Sequence, residues 1–148
     1  MLNKIGVHVK VRNYKKSEKF YKDLGFKEIF CYGPDREVVE DYRGMVFEVG
    51  GTKLEIADGH RAVKAETFKE KIGSSKISLM IEVDRISEVI EVCNKAQIDI
   101  AVEPRHYYWG TLELVVKDPD GLVLVFIAKY DQNEAKLIEA DESWMKKL

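Results

Sequence analysis

One succession of patterns occurs twice in this chain, and it limits the fold more than any composition figure. Residues 4–11 (KIGVHVKV) alternate, with Ile5, Val7, Val9 and Val11 on one face and Gly6, His8 and Lys10 on the other. That is the period of a half-buried strand. A helix follows: Asn13 is the candidate N-cap, Tyr14, Ser17, Phe20, Tyr21 and Leu24 recur at helical spacing, and Gly25 stands where a left-handed cap belongs. Residues 27–33 read as a strand, 34–43 as a loop or the approach to a strand, and 44–58 as two strands around Gly50-Gly51, a strong hairpin signal. Residues 58–75 lose the alternation and read as a linker with at least one helical turn.

The pattern then restarts. Residues 75–83 alternate, with Ile77, Leu79, Ile81 and Val83 against Ser78, Met80 and Glu82. Residues 84–98 form an amphipathic helix on Ile86, Val89, Ile90, Cys93 and Ala96. A strand over 99–104 and a hairpin over 105–129 follow, turning at Asp118-Pro119-Asp120-Gly121. Proline there fixes φ and glycine accepts a positive one, so this acidic run reads as a turn and not as a metal loop. Residues 131–147 are expected to form a C-terminal helix, with Leu137, Ile138, Trp144, Met145 and Leu148 as candidate buried positions.

A displacement of 72 positions lays Val7–Val11 on Leu79–Val83, Phe20 on Val92 and Phe26 on Ile98. A displacement of 70 lays Gly51–Ile56 on Gly121–Phe126. The expected fold is therefore α+β: two βαβββ repeats forming a concave mixed sheet, helices on the outer face, and a C-terminal helix. The expected organisation is one domain, with repeat one over about 4–58, a linker over 59–75, and repeat two over about 76–129.

At 148 residues, such a chain hides roughly 68–70% of its unfolded surface and needs no disulfide or metal to fold. Cys31 and Cys93 lie far apart with no CxxC, and read as small hydrophobes. Lys and Arg total 24 against 26 Asp and Glu, so no basic field is offered to nucleic acid or anionic lipid. No apolar run approaches a membrane span, and the N-terminus lacks a signal-peptide core. A soluble, cytoplasmic protein is expected, with no nucleic-acid or membrane partner.

Two motifs add a family. The first repeat carries S-x-x-FY-x-x-LGF (Ser17, Phe20, Tyr21, Leu24, Gly25, Phe26), and the second pairs Trp109-Gly110 with Asp118–Gly121. Over roughly residues 4–129 the chain resembles the vicinal-oxygen-chelate superfamily: glyoxalase I, the bleomycin-resistance proteins, fosfomycin-resistance enzymes and extradiol dioxygenases. The resemblance implies metal ligands, usually His, Glu or Gln, at three or four of a set of equivalent positions. Here these are Gly6, Glu55, Ser78 and Val125. Gly and Val donate no side chain and Ser is a poor ligand for a divalent ion. The resemblance is thus closest to the metal-free bleomycin-resistance-like members, and no cofactor is expected.

His8, two residues past Gly6, projects to the same side. It is either a polar pocket residue or, with Glu55, an acid–base pair or a non-standard site for a divalent ion. The inner surface expected from alternation mixes His8, Glu55, Ser78, Met80, Glu113 and Val125, with Trp109 at its rim: apolar walls with a few polar groups. Three functions follow. The first is a homodimeric protein that holds a small organic ligand without metal, as in antibiotic resistance by sequestration. The second is a lyase, isomerase or transferase using His8 and Glu55, with or without a divalent metal. The third is a non-catalytic interaction module that docks through its C-terminal helix.

Overall fold

A computed structural model describes residues 1–147. They fall into two compact units, one over Met1–Lys71 and one beginning at Ile72.

In the first unit the chain runs β1 (Val7–Lys10), α1 (Tyr14–Asp23), β2 (Lys27–Tyr32), β3 (Gly44–Val49) and β4 (Thr52–Ala57), then a 3₁₀ turn at Ala65–Lys69. The sheet order is β1-β4-β3-β2, with β1 parallel to β4 and the other pairs antiparallel. Helix α1 starts as the sequence indicates: the Asn13 side chain accepts from the Lys16 amide at 3.1 Å. Its end is a Schellman motif, with Phe26 N donating to Tyr21 O and Gly25 N to Lys22 O, and Gly25 at φ 98°. Gly50 and Gly51, at φ 53° and 81°, give the two positive φ values of a type I′ hairpin. The core gathers Val9, Val11, Phe20, Tyr21, Phe26, Phe47, Leu54 and Ile56. Within it the Tyr21 ring meets those of Phe20, Phe26 and Phe47 at 5.1–5.9 Å between centroids.

The second unit repeats the order: β5 (Ser78–Glu82), α2 (Ile86–Ala96), β6 (Ile100–Tyr107), β7 (Thr111–Lys117), β8 (Val123–Lys129) and α3 (Gln132–Leu137). Its sheet order, β5-β8-β7-β6, matches the first strand for strand. Ile86, Val89 and Cys93 of α2 are buried, as are Leu112, Leu114, Val116, Leu124 and Phe126 of the sheet. The Asp118–Gly121 segment is the expected turn: Asp118 Oδ1 accepts from Asp120 N and Leu122 N. Gly121 is required twice over, by φ 93° and by the Ile72 carbonyl, which lies 2.3 Å from where a Cβ would stand.

Several expectations are corrected. Ile5 and Ile77 continue the alternation on paper but lie outside the paired strands and are exposed. The strand expected to end at residue 104 continues as β6 to Tyr107, because pairing with β7 carries it past Pro104 with irregular register. The continuous helix over 131–147 is broken: α3 stops at Leu137, Glu139 takes φ 51°, and a 3₁₀ turn follows at Ser143–Lys147. Between them the chain turns extended and pairs with the outer edge of β6. Asp141 N donates to Pro104 O, and His106 N donates to Asp141 O. Edge-strand pairing satisfies backbone groups that a continuing helix would leave open. Leu137 is consequently 67% exposed rather than buried, and Met145 is also exposed. Ile138 and Trp144 are half-buried. Leu148 lies outside the described residues.

Candidate ligand site

The register of the first sheet builds a row of side chains that alternation alone leaves unpaired. His8 lies opposite Glu55, Glu55 opposite Val46, and Val46 opposite Phe30. The row crosses all four strands on the face away from Leu54, Ile56 and Phe47. His8, Glu55, Val46 and Phe30 line an open cleft of about 400 Å³ with Gly6 and Lys53.

Within the row, His8 Nε2 is 3.6 Å from Glu55 Oε2, with side-chain exposures of 27% and 32%. That distance is too long for a hydrogen bond, and the shielded Nε2 has no hydrogen-bond partner. Burial lowers the His8 pKa below the ordinary histidine value. Glu55 pulls it back up, while Lys10 and His60 push it further down. The neutral imidazole is therefore favoured at pH 7.

Glu55 is held from a second side. The Tyr32 hydroxyl donates to Glu55 Oε2 at 2.7 Å. To reach it, the Tyr32 ring lies flat over Gly44, its cross-strand partner; a Cβ at Gly44 would fall 2.0 Å from the ring. Burial, then the bond and charge of Glu55, raise the Tyr32 pKa. Aromatic edges continue the cluster: Tyr42 packs on Tyr32 at 5.7 Å, and His60 on His8 at 5.5 Å. Tyr32, Gly44, Tyr42 and His60 are additions to the residues legible in sequence. For Tyr32 a signal existed, since it alternates with Phe30 in β2. His60 sits in the linker, where no periodicity places it.

The second sheet positions the remaining candidates. Ser78 faces Val123, Met80 faces Val125, and Val125 faces Val115. Glu113 lies between Ile127 and Arg105. Register thus places Ser78, Met80, Glu113 and Val125 on one face, as alternation indicates. Ser78 and Met80 are exposed, Met80 to 77%. Trp109 sits in the β6–β7 turn rather than in a strand. Its indole N–H donates to Glu113 at 2.9 Å, and its ring stacks on Tyr107 at 4.7 Å. Tyr108 and Trp144 complete an aromatic group, with the Arg105 guanidinium over Trp144.

A resident divalent metal does not fit these donors. Catalytic zinc sites use three protein ligands; the first sheet offers one imidazole and one carboxylate, and that carboxylate is engaged by Tyr32. Gly6 has no side chain, and the positions matching His8 and Glu55 in the second unit are Met80 and Val125. Among the described residues no group of three or more His, Cys, Asp or Glu is arranged to hold a metal ion.

Paired βαβββ units, each with parallel first and last strands and its polar side chains on one sheet face, define the class. A family model described as "Glyoxalase/Bleomycin resistance protein/Dioxygenase superfamily" matches residues 5–126, and the chain belongs to that superfamily. Among solved structures it is similar to the fosfomycin resistance protein FosX of Listeria monocytogenes, with TM-score 0.65 and 13% identity over 93% of this chain and 98% of that one. It is similar to a glyoxalase family protein of Enterococcus faecalis, with TM-score 0.55 and 22% identity over 86% and 96%. It is also similar to a glyoxalase I mutant from Zea mays, with TM-score 0.68 and 20% identity over 87% of this chain and 46% of that one. At these identities the likeness is one of fold. A search of the curated proteins finds no match. Among the described residues no helix is long and apolar enough to cross a membrane.

Proposed function

We propose that this protein binds a small organic ligand in the cleft over the first sheet, without a resident metal, and acts by holding it. The observation that carries this reading is the buried, unpartnered Nε2 of His8 opening beside the Glu55 carboxylate in a cleft walled by Phe30 and Val46. Mostly apolar walls with a few convergent polar groups are the usual make-up of a ligand pocket. A shielded polar atom without a partner leaves a hydrogen bond for the ligand to supply. The FosX structure holds Mn(II) and a dihydroxypropylphosphonic acid; here the donor set supports the metal-free branch of the superfamily instead.

A second reading has its own observation. Burial favours neutral His8, and Tyr32 orients the neighbouring carboxylate, which are the properties of a proton-transfer pair. Metal analysis of protein purified without chelator separates the two. The expected content is far below one ion per chain, unchanged in a Glu55→Gln variant. Near-stoichiometric Zn²⁺, Ni²⁺ or Mn²⁺ that disappears with Glu55→Gln or His8→Ala would overturn the metal-free reading and favour the enzyme.

A further inference from the structure

We infer that the cleft over β1–β4 selects an uncharged molecule with an apolar body and one polar edge, on which a donor and an acceptor sit together, as in a phenol, a lactam or a carboxamide. This rests on the ligand-binding reading above and adds to it the charge class of the ligand. Three observations carry it. First, the charges of the face oppose one another. Lys53 and Glu55 alternate to the same side of β4 and both line the cleft, so an anion meets the carboxylate and a cation meets the ammonium. Second, the polar pair asks for both functions at once. The nearby carboxylate favours the tautomer with the proton on His8 Nε2, which then needs an acceptor, while the Glu55 carboxylate, which takes one bond from Tyr32, keeps acceptor sites for a ligand donor. The 3.6 Å between these atoms is too long for them to satisfy each other. One hydroxyl can donate to Glu55 and accept from Nε2. An ammonium leaves the imidazole N–H unpaired, and a carboxylate faces Glu55 with like charge. Third, the wall opposite is apolar and open. Phe30 and Ile29 are each 44% exposed, and Val46 lies between Phe30 and Glu55 in the row. A flat body laid on Phe30 covers this surface while its polar edge reaches the His8–Glu55 pair.

The test uses three probes with one body: 4-ethylphenol, 4-ethylbenzoate and 4-ethylbenzylammonium. Each is titrated into the full chain at pH 7.5 while the His8 ring signals, assigned with a His8→Gln variant, are followed by NMR. 4-Ethylphenol is expected to shift them saturably, and each ion to bind at least about tenfold more weakly, the ratio for 1.4 kcal/mol. In Lys53→Gln the ammonium probe should gain on the phenol by about threefold or more, since only the opposing charge is removed. An ion that binds as tightly as the phenol, or an unchanged ratio in Lys53→Gln, overturns the charge class and leaves the ligand site standing. If no probe moves the His8 signals, the ligand-binding reading of this cleft falls, and the charge class with it.

Discussion

His8 and Glu55 are cross-strand partners in the parallel pair β1–β4, and Met80 and Val125 are partners at the matching place in β5–β8. The two halves of the chain therefore carry the same pairing geometry with opposite chemistry. One unit presents an imidazole and a carboxylate; the other presents a thioether and a branched alkyl group. At this pair of positions the polar chemistry lies in the first unit.

The pKa of His8 is lowered in the folded chain, mainly by burial. The unfolded chain therefore binds more protons than the folded one below the ordinary histidine value of about 6.5. Stability should be fully present above that pH and fall as pH drops through the folded-state value. Urea unfolding of wild type and His8→Gln between pH 7.5 and 5 measures this. The wild type should lose stability more steeply than the variant, and parallel curves would contradict the assignment.

Gly44 exists for Tyr32. A methyl group at Gly44 occupies space now filled by the ring, so Gly44→Ala should destabilise by about 1–3 kcal/mol, in the range for overpacking. In Tyr32→Ala the same substitution should cost much less. A double-mutant cycle reads this as a coupling of about 1 kcal/mol or more. Additive effects would show that the ring does not depend on Gly44.

Glu134 of α3 caps a helix that lacks a cap of its own. Arg85, at the N-cap of α2, makes no side-chain bond there; Glu134 Oε1 instead accepts from Ser87 N at 2.8 Å, and Oε2 accepts from Arg85 at 2.9 Å. Burial pushes the Glu134 pKa up, but the bonds from Ser87 and Arg85 outweigh it, and the net direction is down. Its contribution is therefore present above the ordinary glutamate range and lost as pH falls through the lowered value. Glu134→Gln should cost about 1–2 kcal/mol at pH 7, the scale of a helix cap with a charged partner, and much less near pH 3. Thermal melts at the two pH values check the sign.

The second unit leaves Tyr108 and Trp109 each 54% exposed beside Tyr107 and Trp144. Apolar surface of this kind is commonly covered by a second copy, so a homodimer is the expected state. Sedimentation at micromolar concentration should give about twice the 17.1 kDa chain mass. A monomer would leave the aromatic group as a local cluster.

Alternation and helical spacing are local properties, and whatever depends on them could be read from the chain. They determined the two βαβββ units, the Asn13 and Gly25 caps, the Gly50-Gly51 and Asp118–Gly121 turns, and the faces carrying His8, Ser78, Met80 and Val125. A strand's period assigns each residue a face but not a neighbour. Which side chains meet depends on register between strands far apart in sequence. Only tertiary structure therefore decided that His8 stands opposite Glu55, that Tyr32 crosses Gly44 to hold that carboxylate, and that His60 of the linker packs on His8. The same reason governs the C-terminal segment. Its helical spacing is real, but the open backbone edge of β6 offers Asp141 hydrogen bonds that no local pattern records, and the helix stops at Leu137.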